Sequence, residues 1–133
     1  MKKLKNGYKI LAKKVFLFIG AISILTSCEY SYRYSYRITN KSNSIVGVHL
    51  KTFNIDSTYI IPNDSTILLF NTTHGIESFG GPYFDDVKND IDELIVKMGK
   101  GASNRDFLKN ENWSFDKGKG TYSTIIKKSD FDK

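Results

Sequence analysis

From Tyr30 to Ile38 the chain reads YSYRYSYRI. Tyr30, Tyr32, Tyr34, Tyr36 and Ile38 lie on one side of a two-residue period, and Ser31, Arg33, Ser35 and Arg37 on the other. That alternation is the mark of a strand with one apolar and one wet face. The run from Asn40 to Ser44, NKSNS, predicts a turn. IVGVHLKTF, Ile45 to Phe53, is β-branched and apolar enough for a second strand. STYIIP (57–62) and STILLF (65–70) predict a third and a fourth, with Pro62, Asn63 and Asp64 supplying turn chemistry between them. In sequence order these strands predict a β-meander, each pairing with the next.

The pattern then loosens. NTTHGIESFGGP, from Asn71 to Pro82, has glycines and no sustained period, and predicts a long loop crossing the domain. In YFDDVKNDIDELIVKM (83–98), Phe84, Val87, Ile91, Leu94, Ile95 and Met98 fall at helical spacing, yet LIVKM running into Gly99-Lys100-Gly101 reads equally as a strand entering a turn. The reading adopted is a short helical turn near 83–90 and a strand over about 92–98. Trp113, Ser114 and Phe115, a glycine-lysine turn, and the alternating TYSTIIKK from Thr121 to Lys128 close the chain with further strand. The expected class is mainly β: one antiparallel β-sandwich with at most one short helical turn.

The first 27 residues belong to a different grammar. Six lysines and no acidic residue precede or flank the apolar run VFLFIGAISIL, Val15 to Leu25, the layout of an export signal. Eleven residues rising about 1.5 Å each reach roughly 16 Å, against a hydrocarbon core of about 30 Å, too short to span comfortably. The run ends in Leu25-Thr26-Ser27-Cys28, which resembles the lipobox of bacterial lipoproteins. The resemblance implies that a peptidase cuts between Ser27 and Cys28 and that the Cys28 thiol carries a diacylglycerol. One acyl chain holds a protein only marginally; two or more anchor it firmly. The domains expected are thus a signal peptide, 1–27, and a sandwich domain, 28–133. Cys28 is the chain's one cysteine, so it has no partner for a disulfide.

Removing residues 1–27 changes the charge reading. The whole chain has 20 basic and 14 acidic residues; without the six lysines of the signal the two signs balance. A nucleic-acid partner therefore has no electrostatic warrant.

The stretches YRITNKSNSIVGV, DSTYIIPNDSTILL, IDELIVKMGKG and NWSFDKGKGTYSTIIKKSDF are similar in layout to small Bacteroidota-type lipoproteins of uncharacterised function. The resemblance implies an immunoglobulin-like or transthyretin-like sandwich on the outer membrane, at its periplasmic face or on the cell surface. In that group acidic residues after the lipidated cysteine direct surface display; here Glu29 alone stands before Tyr30 and Ser31. Asp56-Ser57-Thr58 and Asp64-Ser65-Thr66 look like the O-glycosylation acceptor of the same group, and are equally ordinary turn chemistry.

For the tyrosine row there are three readings. It is the inner face of a sandwich strand with hydroxyls reaching the rim, a set of rings in the membrane interface close to the anchor, or a stacking surface for sugars. Tyr30, Tyr32, Tyr34, Tyr36 and His74 are accordingly the candidate binding surface. His49, in an apolar strand, reads as structural. His74 with Glu77, Asp85 and Asp86 could form a mixed nitrogen and oxygen site, but HExxH, paired histidines and EF-hand spacing are all missing, so no metal or cofactor is expected. There is no GxSxG, and Gly80-Gly81-Pro82 lacks the lysine of a phosphate loop. The expectation is a non-catalytic, lipid-anchored domain with a binding or accessory role toward an envelope protein or glycan. The alternatives are a purely structural lipoprotein, an inhibitor of a secreted hydrolase or toxin, and, least of all, a hydrolase built on His74.

Overall fold

The computed structural model describes residues 30–76 and 79–132. Ser27, Cys28 and Glu77, and with them the predicted cleavage and lipid sites, lie outside the described residues.

Eight strands run in the order β1 (Tyr30–Lys41), β2 (Val46–Lys51), β3 (Asp56–Ile61), β4 (Thr66–Ile76), β5 (Glu93–Met98), β6 (Gly101–Ala102), β7 (Ser114–Asp116) and β8 (Thr121–Lys127). They form two four-stranded sheets, β4-β1-β8-β7 and β3-β2-β5-β6, which share one core. The fold is mainly β, a two-sheet sandwich. The β1–β8 ladder is parallel, and all the others are antiparallel. Besides the 3-10 turn Val87–Asn89, which falls inside the predicted 83–90 turn, there are 3-10 turns at Asn110–Asn112 and Lys128–Phe131, two more than the sequence reading allowed.

The predicted meander is not what forms. β2 pairs with β3 as expected, but β1 and β2 lie in different sheets, and so do β3 and β4. The reason is local. Both turns are corners that carry the chain from one sheet to the other, and Asn40 ties them together. Its side chain is fully buried; its amide nitrogen donates to the carbonyls of Ser44 (2.7 Å) and Ile61 (2.9 Å), and its amide oxygen accepts from Ser42 N and Oγ. Its backbone accepts from Asp64 N at 2.8 Å and donates to Ser65 O at 2.9 Å. Asn43 and Asp64 hold φ of 64° and 60°, a region asparagine and aspartate tolerate better than most residues. Turn residues were visible in the sequence; the direction in which they turned was not.

The predicted 71–82 loop is also shorter than expected, because β4 continues to Ile76 and pairs with Tyr30–Ser35. A bulge between Tyr36 and Arg37 leaves Leu69 unpaired in that ladder and lets Leu69 and Phe70, neighbours in sequence, both face inward.

The tyrosine row buries progressively. Tyr30 is 36% exposed, Tyr32 half-buried, and Tyr34, Tyr36 and Ile38 are in the core. Phe70, Tyr36, Tyr122 and Phe115 are direct register partners across β4, β1, β8 and β7, and their rings form one ladder. Tyr36 stacks on Phe70 with centroids 4.5 Å apart and planes 6° apart, and on Tyr122 at 4.6 Å and 2°; Phe115 follows at 4.7 Å from Tyr122. The spacing is set by the strands, which lie about 4.8 Å apart in any sheet. Trp113 meets Tyr36 edge-on at 5.6 Å, and its indole N–H donates to Phe107 O. Among the described residues, the buried apolar core runs from Tyr34 to Ile126.

Candidate functional site

The tips of the buried tyrosines decide where the 83–90 segment lies. Tyr34 Oη accepts from Tyr83 N at 3.2 Å. Tyr122 Oη accepts from Asp85 N at 2.6 Å and donates to Asp85 O at 3.1 Å. Tyr36 Oη donates to Asp90 Oδ2 at 2.6 Å. Three hydroxyls thus fasten one crossing segment to the sandwich, and beside it opens a cleft of about 260 Å³ lined by Tyr34, His74, Tyr83, Phe84, Asp85, Asp90 and Tyr122.

Within it, His74 Nε2 lies 2.8 Å from Asp90 Oδ1 and 3.0 Å from Oδ2. His74 is carried by β4 opposite Tyr32, and Asp90 caps the Val87–Asn89 turn with its backbone N–H on Val87 O. The carboxylate side chain is 9% exposed, so its charge is met by an imidazole and a phenol rather than by bulk water. Burial first, then the hydrogen bond to Asp90 and the nearby carboxylate charges, push the Tyr36 phenol far above the ordinary tyrosine range, so it stays a proton donor. Burial also raises Tyr122, opposed by its backbone hydrogen bond with Asp85. The Tyr34 ring meets His74 edge-on at 5.2 Å.

The candidate residues of the sequence reading separate. Tyr34 and His74 come together in the cleft, Tyr36 sits behind it in the core, Tyr32 is half-buried, and Tyr30 lies apart at the tip of β1. The row is a core face for half its length and not a continuous binding surface. His74 turns to Asp90 and not to Asp85 or Asp86, and among the described residues no three histidine, cysteine or acidic side chains gather in a metal-holding group. Asp90, Tyr83 and Tyr122 join the site through the fold alone: sixteen residues separate His74 from Asp90, and no spacing rule joins them. Ser57 is exposed on edge strand β3, and Ser65 is half-buried in the corner beside Asn40. His49 faces outward from β2 between Asp56 (3.6 Å) and Glu93 (3.3 Å), beside Thr58.

A larger recess, about 450 Å³, opens beside Arg105, but that guanidinium is spent. It donates to Asn112 Oδ1 and O, Ile125 O and Thr124 Oγ1, and pairs with Asp130 at 3.4 Å. Arg105 is a clamp holding the 103–113 segment and the C-terminal turn to β8, and it leaves no free fork for a ligand.

No protein family, curated protein or solved structure matches the chain.

Proposed function

We propose that the protein is a lipid-tethered binding domain of the cell envelope, held by acyl chains on Cys28 and receiving a small ligand in the Tyr34–His74–Phe84 cleft. The address rests on the LTSC segment and the export-type run before it. The binding reading rests on one observation: the cleft sets the Phe84 ring beside His74, whose Nε2 is held by the Asp90 carboxylate that also accepts from Tyr36. Held together in this way, His74 and Asp90 make a fixed polar wall against which a ligand can rest.

At about 260 Å³ the cleft falls below the roughly 300–1,000 Å³ of sites for drug-sized ligands, which favours a single ring. Phe84 is 46% exposed at its mouth, so an aromatic ring is available beside the imidazole. A sugar ring, with a C–H face for the π-cloud and hydroxyls for His74, fits that pairing, and an envelope glycan is the proposed ligand.

The test is titration of the 28–133 chain with glycan fragments from the producing cell's envelope, followed by NMR or calorimetry. Saturable binding that Phe84→Ala and His74→Ala weaken while the fold survives supports the reading. Binding that neither substitution alters, or none with any fraction, overturns it and leaves a structural envelope lipoprotein.

A further inference from the structure

Cys28 precedes Tyr30 by two residues, and a chain extends by at most about 3.6 Å per residue. If acyl chains sit on Cys28, as the preceding reading holds, the tip of β1 lies within roughly 7 Å of the lipid surface. What the fold places at that tip is apolar. The Tyr30 ring meets Phe79 edge-on at 5.5 Å, and Phe79 is 80% exposed. Tyr83 donates from its hydroxyl to Phe79 O at 2.9 Å, and Lys117 Nζ stands 4.9 Å over the Tyr83 ring. Gly80, at φ 99°, allows the tight turn that brings the Phe79 carbonyl to the Tyr83 hydroxyl.

Two tyrosines, a protruding phenylalanine and a lysine are the composition that membrane interfaces favour: rings at headgroup depth, with an ammonium reaching water along its aliphatic stem. We infer that this tip is a membrane-docking surface, which inserts Phe79 among the lipids beside the anchor and stands the sandwich upright on the bilayer. With the mature chain's charges balanced, apolar insertion and not lipid charge drives the contact. The far end of the molecule, with Ile45 63% exposed in the β1–β2 corner, is then held away. Tyr30 and Lys41 bound a strand of 12 residues, about 37 Å long at 3.4 Å per residue.

The experiment uses the 28–133 chain, whose single thiol allows coupling of Cys28 to a maleimide lipid in neutral phosphatidylcholine vesicles carrying brominated acyl chains. The native Trp113 is buried, so it gives a constant background to a reporter placed at Phe79→Trp or Ile45→Trp. The expected result is a blue shift and loss of emission for F79W and unchanged emission for I45W. Unchanged emission from F79W, or equal quenching at both positions, overturns the inference. The tether here is chemical, so native lipidation of Cys28 is judged separately by mass, and failure of that reading cannot be mistaken for failure of the tip to insert.

Discussion

Tyr36, in the middle of the first strand, donates its hydroxyl proton to Asp90, 54 residues later, at 2.6 Å. The same carboxylate holds His74. One part-buried bond therefore couples the aromatic ladder of the core to the wall of the cleft.

Tyr36→Phe keeps the ring stack and removes that bond, leaving a nearly buried carboxylate with a single side-chain partner. A hydrogen bond to a charged group contributes about 1.5–3 kcal/mol, and urea denaturation of Tyr36→Phe is expected to show a loss in that range. A double-mutant cycle with Asp90→Asn should return a coupling of roughly 0.5–3 kcal/mol, because the two residues share one network. Additive losses would mean that the bond contributes nothing.

Alkaline stability follows from the same burial. The Tyr36 and Tyr122 phenols are raised in the folded state, so the folded chain keeps protons that the unfolded chain releases above its ordinary tyrosine pKa of about 10. Their contribution is complete below pH 10 and is lost as the pH climbs through and beyond it, by about 1.4 kcal/mol per pH unit for the strongly raised Tyr36 phenol. Tyr36→Phe should flatten the fall measured between pH 10 and 12.

Asn40→Ala removes the acceptor and donors that join the two sheet-crossing corners. A cost of about 3 kcal/mol is expected from buried groups left unsatisfied. Lys41→Ala, one residue on, breaks only an exposed ion pair to Asp64 and should cost less than about 1 kcal/mol. Equal losses at the two positions would contradict the role given to Asn40.

Gly99 and Gly120 both have positive φ, 58° and 60°, but differ in their surroundings. A Cβ at Gly99 meets open space, whereas one at Gly120 falls 2.6 Å from Arg33 O and 3.2 Å from the Pro82 ring. Alanine at Gly99 should cost the left-handed strain alone, about 1–2 kcal/mol. Alanine at Gly120 should cost clearly more, in chemical denaturation, because β1 and β8 must part.

These contrasts mark where sequence reading reaches and where it stops. Alternation placed β1 and β8, and apolar runs bounded by turn residues placed β2, β3 and β5, close to their observed bounds. It could not show that the NKSNS and PND turns are corners between sheets, because that depends on Asn40 reaching Ile61 across 21 residues. Nor could it extend β4 past Phe70, since Asn71–Ile76 pairs with the half-exposed end of β1 and carries little apolar signal. At the site, His74 was legible as an isolated histidine; Asp90 and Tyr122 became its neighbours only once three tyrosine hydroxyls pinned the 83–90 segment.

The most direct test of the account is the intact mass of the protein recovered from the envelope of the cells that make it. The account predicts a chain beginning at Cys28 and heavier than its residues by a diacylglycerol, with or without a further acyl group. A chain that still begins at Met1, with no acyl mass on Cys28, would contradict it.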